Sequence, residues 1–240
     1  MTDSNPDLPQ LPLKLPLLAL IGLKDPEQGN WAALRAIQYR QIHRLSRSRA
    51  LAHAMSVIIT VGLFHGKVPV TILAPWVLAV AVALWNSLRI DRGLADIDRR
   101  SMTQREFRRQ ALGIAGAAAV WGVALLVFTH WGTTADHFAL WTLIAMLIAG
   151  SAFAMAPAPM ATIVFSSITG ATAVLSFLLK GELTFAVVVG AFVVIAIAGA
   201  LSIARTYLAA QIAEAGVVEK SEVVSLLLRE YEDNAADWLW

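Results

Sequence analysis

The sequence predicts an all-α integral membrane protein, a bundle of six transmembrane helices followed by a cytoplasmic C-terminal signalling helix. Three observations carry this. The chain is 58% hydrophobic and 15% charged, whereas an ordinary soluble domain is about half apolar and a quarter charged. The apolar residues come in blocks of bilayer-spanning length. The Lys and Arg residues sit almost entirely in alternate connecting segments.

A spanning helix needs roughly 20 apolar residues. The spacing places spans at about 50–66, 68–88, 110–132, 137–156, 159–179 and 183–204. Residues 137–179 hold no Lys, Arg, Asp or Glu. That run suits two helices, divided at Ala156-Pro157-Ala158-Pro159, because proline lacks an amide donor and disfavours helix just before it. The first span is short and contains His53 and His65. An interfacial or re-entrant helix is its alternative reading; that gives five spans and puts the termini on opposite sides.

Charge sets the orientation. Residues 1–49 hold seven Lys and Arg, the 89–109 loop holds seven and the stretch after residue 204 holds three. The alternate loops hold Lys67 and Lys180 only. With six spans, seventeen of nineteen basic residues share one side, which the positive-inside rule makes cytoplasmic. Arg35, Arg40, Arg44, Arg47, Arg49, Arg99, Arg100, Arg108 and Arg109 are the main topology determinants. The expected location is a cell inner membrane, with both termini in the cytoplasm.

Outside the spans, residues 1–30 are Pro-rich and polar and read as a disordered cytoplasmic arm with no signal peptide. Residues 31–49 read as a basic amphipathic helix at the interface, with Leu34, Ile37, Gln41 and Leu45 on one face and arginines on the other. It serves either as an anchor for the first span or as a lipid sensor. Residues 205–233 read as a coiled-coil-like linker helix continuing from the sixth span. A seven-residue series, Ile203, Ala210, Val217, Val224 and Tyr231, has Leu228 among its partners four residues on. This is a partial heptad seam, suited to a homodimer; a solvated helix that pairs with nothing is the alternative.

The chemistry-bearing motifs are few. There is no phosphate-binding loop, dinucleotide fingerprint, G-x-S-x-G or H-E-x-x-H. The cysteine count is zero, so thiolate sites and Cys nucleophiles are out. The expected protein is not an enzyme and holds no cofactor. Membrane lipid is its expected partner, and nucleic acid is not, because the basic clusters flank apolar spans. Asp91, Asp96, Asp98 and Glu106 alternate with arginines and read as solvated i,i+4 pairs. His65, His130 and His137 fall on the outer side and are the candidates for a metal site. Gly113, Gly116, Gly150, Ala154 and Gly199 mark faces small enough for close helix packing. The predicted spans contain no Asp, Glu, Lys or Arg, which argues against ion-coupled transport.

Residues Val223-Val224-Ser225-Leu226-Leu227-Leu228-Arg229-Glu230-Tyr231-Glu232, followed by Ala236-Asp237-Trp238-Leu239-Trp240, resemble the linker and first strand of a PAS domain in bacterial multidomain signalling proteins. In those proteins a multi-span sensor region precedes PAS, GGDEF and EAL domains that make and degrade cyclic di-GMP, or a histidine kinase. The resemblance implies that 234–240 begins a PAS-like domain and that catalysis belongs to an output domain beyond this sequence. The expected function is a sensory input module relaying a signal through the C-terminal helix. A small transporter or channel-like protein is the alternative.

Overall fold

The computed structural model describes residues 16–23, 31–96, 101–155 and 157–236. The described residues contain no strand. The helices are α1 (Leu17–Leu20), α2 (Trp31–Arg44), α3 (Ser46–Phe64), α4 (Val70–Arg92), α5 (Gln104–Val127), α6 (Thr134–Ala154), α7 (Pro159–Leu179) and α8 (Leu183–Ala236). Among the described residues five helices are long and apolar enough to cross a membrane: α4, α5, α6, α7 and the Leu183–Gln211 part of α8. The 19-residue α3 is not among them. Ser46, Arg47, Ser48, Arg49, His53 and Ser56 occupy its first three turns.

Local signals fix most helix ends. Thr103 and Glu106 form a capping box at α5, with each backbone N–H satisfied by the other residue's side chain. Thr133 and Asp136 do the same at α6, so α6 starts three residues before the apolar run does. Pro159 stands at the first position of α7, where its missing N–H leaves no bond unmade. At the other end of α7, Gly181 has φ +76°. That conformation lets Glu182 N–H reach the Phe177 carbonyl at 2.9 Å and Gly181 N–H reach Leu178 at 3.0 Å. The basic 31–49 segment is not one helix: it breaks at Leu45, and Ser46–Arg49 form the first turn of α3.

The main core joins Phe64, Trp76, Trp121, Phe128, Leu140, Ile144, Ile148, Phe165 and Phe177. α7 is the central helix and packs most extensively on α5 and α8. Within the main core, side-chain to backbone bonds cross between helices from Trp76 Nε1 to the Val120 carbonyl at 3.0 Å and from Ser176 Oγ to the Leu125 carbonyl at 2.9 Å. Thr60, Ser166 and Thr169 instead donate to the carbonyl one turn back. A helix in an apolar phase must satisfy its hydroxyls internally in this way. The outward faces are apolar: Leu78, Leu112, Phe153 and Ile195 are all more than 60% exposed. Large apolar side chains on the outside suit a lipid solvent.

Of the glycines the sequence singles out, Gly113 is at a close approach: a Cβ there would lie 2.8 Å from Ile90 of α4. A Cβ on Gly170 would lie 2.4 Å from Val193 of α8, and one on Gly122 would lie 2.9 Å from Thr172 of α7. Gly116, Gly150 and Gly199 meet nothing within 4 Å. The tight faces therefore lie on α7, against α5 and α8, and between α4 and α5 at Gly113.

α1 and α2 close the arginine-rich end of the bundle. Ala19, Leu20, Trp31 and Leu34 pack on Ala204 and Leu208 of α8. Tyr39 and Ile42 pack with Met102, Phe107, Met155 and Ala161. The α4–α5 connection is clasped to α2 twice: Met102 N–H donates to the Ala32 carbonyl at 3.1 Å, and Arg35 Nε donates to the Met102 carbonyl at 3.2 Å. Arg35 is thus buried against protein rather than turned outward with the other arginines. α2 is a packed cap, and its buried face includes Leu34, Arg35, Gln38, Tyr39 and Ile42.

Gly170→Leu should wedge α7 from α8, because the β-branched Val193 cannot swing aside. We expect a loss of about 1–3 kcal/mol, typical of overpacking, read as a lower melting temperature in detergent. Gly199→Leu, at an open position, should leave the melting temperature within experimental scatter; equal losses at both sites would refute this packing.

Candidate functional site

The site forms where α3, α4, α5 and α6 meet at the arginine-rich end. Asp91, in the last turn of α4, is 1% exposed. A buried carboxylate needs an opposite charge and hydrogen-bond donors. Arg49 of α3 supplies the charge through Nη2, which bonds Asp91 Oδ2 and also donates to Ser87 Oγ at 3.2 Å. Gln110 of α5 donates Nε2 to Asp91 Oδ1 at 3.1 Å. His43 Nδ1 of α2 lies 2.9 Å from the Asp91 backbone carbonyl. One carboxylate therefore binds three long helices together, and its backbone meets a fourth helix. This corrects the expectation that Asp91 is a solvated surface acid. Glu106, expected in the same solvated set, is the α5 capping residue.

One turn along α3, His53 is wedged between aromatic rings. Trp121 Nε1 donates to its Nδ1 at 3.1 Å, and Phe165 meets it edge-on with centroids 5.8 Å apart. Two chambers open beside these residues. The larger, about 210 Å³, lies between α3 and α6 and is lined by Arg49, Ala52, His53, Met146, Leu147 and Gly150 among others. The smaller, about 40 Å³, reaches inward toward Ser87, Ile114, Ala161 and Phe165. Arg49, His53, Leu147, Ser151 and Met155 line both. Arg49 Nη1 is buried with no hydrogen-bond partner, and so is Gln110 Oε1.

Other candidates are dispersed. His65 and His130 are exposed, whereas His137 is buried with Nε2 at 3.0 Å from Lys180 Nζ. Among the described residues no group of three His, Cys, Asp or Glu is placed to hold a metal. Beside His137, Lys67 pairs with Asp136 at 2.7 Å and ties the α3–α4 turn to the start of α6. Of the topology arginines, Arg40, Arg44, Arg47, Arg108 and Arg109 are exposed at one end of the bundle, while Arg35 and Arg49 turn inward. Arg99 and Arg100 lie outside the described residues, as does the 1–15 arm.

The linker residues all stand on α8. Ile203, Ala210, Val217, Val224, Leu228 and Tyr231 are exposed, and Tyr231 is 75% so. α8 is one helix of 54 residues, about 81 Å long at 1.5 Å per residue. A bilayer core is about 30 Å thick, so much of α8 stands clear of the bundle. Asp237 to Trp240, the start of the expected PAS-like segment, lie outside the described residues.

No protein-family model, curated protein or solved structure matches the chain.

Removing one member of the Arg49–Asp91 pair leaves a buried charge alone. Asp91→Ala should cost about 3 kcal/mol, measured by denaturation in mixed micelles. The double change Arg49→Met with Asp91→Leu should recover most of that loss. A double variant no better than the single one would mean that the pair is not the source of the effect.

Proposed function

We propose that this chain is a membrane-embedded sensory input module that relays a signal through α8 to an output domain. In this reading the bundle crosses an inner membrane six times with both ends cytoplasmic. The observation that carries it is the continuity of α8, whose Leu183–Gln211 part is apolar enough to span and which runs on without a break to Ala236. Its exposed apolar side chains repeat every seven residues at Val217, Val224 and Tyr231, flanked by Leu228. Such a seam suits a parallel homodimer. The output suggested by the 223–240 resemblance is cyclic di-GMP synthesis and degradation, or a histidine kinase.

Six spans rather than five require α3 to cross. Its outer face favours this, since Leu51, Met55, Ile58 and Ile59 are all at least half exposed. Arg47 at its start then lies at the cytoplasmic interface with Arg40 and Arg44, while Arg49 at the same end turns inward to Asp91.

The α2 cap offers the mechanical link from cavity to output helix. Ile42 lines the larger chamber, and Leu34, eight residues earlier, packs on Ala204 and Leu208 where α8 leaves the bundle. A ligand that moves α2 moves the grip on α8. The element with two states would be α8, turning or changing register against its partner. The cavity itself favours a second reading, a small transporter. Truncation after Gln211 separates the two: flux in liposomes survives it in a transporter, whereas a sensor joined to its output domain loses all regulation.

The absence of native cysteine allows single-cysteine tests. Disulfide cross-linking in membranes should peak at Val217→Cys, Val224→Cys, Leu228→Cys and Tyr231→Cys, and be weak at Leu226→Cys and Arg229→Cys on the opposite face. Cross-linking without that period would sink the dimer seam. For topology, an impermeant maleimide applied to intact cells should label Gly66→Cys and spare Arg40→Cys. Labelling of both would leave five spans.

A further inference from the structure

The histidine in the cavity wall restricts what the cavity can hold. A tryptophan N–H is a donor only, so its bond to His53 Nδ1 requires a lone pair on that nitrogen. His53 is then a neutral imidazole with its proton on Nε2, and no hydrogen bond to that nitrogen occurs among the described residues. Arg49 lines the same cavity, but its Nη1 is enclosed by protein. Its charge is already matched by Asp91. An anion entering here would leave a net negative charge out of water, and a cation would face the guanidinium; both are heavily penalised. What the site accepts is an uncharged molecule that brings acceptor oxygens and no obligatory charge.

Shape and access narrow this further. Apart from Arg49, His53, Ser48 and Ser151, the larger chamber is lined by Ile, Leu, Met, Ala and Gly. Methionines such as Met146 and Met155 adapt to a flat ring. An apolar cavity of about 150 Å³ holds a benzene, so about 210 Å³ has room for one substituted six-membered ring. Ala52, Met146 and Gly150 are exposed along the α3–α6 seam. Residues that flank them on the outer surface, Leu51, Met55 and Phe153, are large and apolar. The mouth therefore opens toward lipid, and the occupant enters from the bilayer.

We infer that the α3–α6 cleft binds a lipid-soluble, uncharged ring compound with carbonyl oxygens, the chemistry of a quinone head group, one of whose oxygens accepts from His53. The inference rests on reading this cleft as the input site of a sensor, and it names the class of molecule sensed. A tail on the ring would trail out past Gly150 among the acyl chains.

The test is calorimetric titration of decylubiquinone into the full chain in lipid nanodiscs, with empty nanodiscs as blank. Saturable binding is expected. Gly150→Phe and Ala52→Phe put bulk at the mouth from opposite helices; a Cβ at Gly150 meets nothing within 4 Å. Each should weaken binding by about tenfold or more while the melting temperature holds. Methyl decanoate and decanoate should not displace decylubiquinone. Displacement by decanoate would identify an anion site, and displacement by the ester an acyl-chain site; either overturns the proposal. So does affinity unchanged in whichever mouth variant folds. Binding with no periodic cross-linking on α8 would retain this site and remove the relay. Periodic cross-linking without binding would do the reverse.

Discussion

Asp91 is a carboxylate with almost no solvent around it, and the surrounding helices are arranged to make that tolerable. In a low-dielectric setting the ion must be neutralised and its lone pairs filled. Arg49 and Gln110 meet those needs from two different helices. Moving α3, α4 or α5 independently would expose a bare charge to an apolar phase. The three helices are thus locked in relative position at this end, where apolar contact alone would let them slide. Lys67 and Asp136 play a milder version of the same part at the opposite end.

The same lock shapes the cavity. Because Asp91 draws Arg49 inward, the guanidinium lies along the chamber wall instead of in the basic interface with Arg44 and Arg47. Because α2 is clasped to the α4–α5 connection through Met102, Ile42 and Leu45 are held over the chamber's end. The α2 segment is then both a wall of the cavity and a bearing for α8. A single short helix connects the two places where this protein has uncommitted surface.

Much of the fold was legible in the sequence because each helix is long, apolar and punctuated by residues with one strong preference. The prolines at 157 and 159 and the basic loop divide the chain where the helices do end. The α6 start shifted by three residues because a capping box, not hydropathy, sets it. The site was far less legible. Asp91 and Arg49 are 42 positions apart, and each stands among other charges of ordinary surface type. Reading the loop acids as local i,i+4 pairs used sequence proximity, whereas the real partner comes from packing. A usable signal did exist: Arg49 and Asp91 lie toward opposite ends of the α3–α4 helical pair, so a hairpin brings them level. Arg35 misled similarly, since nothing in its neighbours distinguishes a clasp to a carbonyl from a topology charge. Among the glycines Gly113 does mark a close approach, whereas Gly116, Gly150 and Gly199 do not, because a small residue shows that close approach is allowed, not that a helix arrives.

The length of α8 has a mechanical consequence. From Gln211 to Ala236 the helix extends about 38 Å, and α1 and α2 grip it just before that stretch begins. It therefore behaves as a stiff arm with its fulcrum at Ala204 and Leu208. A tilt of about 5° at the fulcrum moves the tip by about 3 Å, roughly half a helical turn. In the proposed dimer, a displacement inside the bundle too small to break any contact would become, at the far end, large enough to change which side chains face each other.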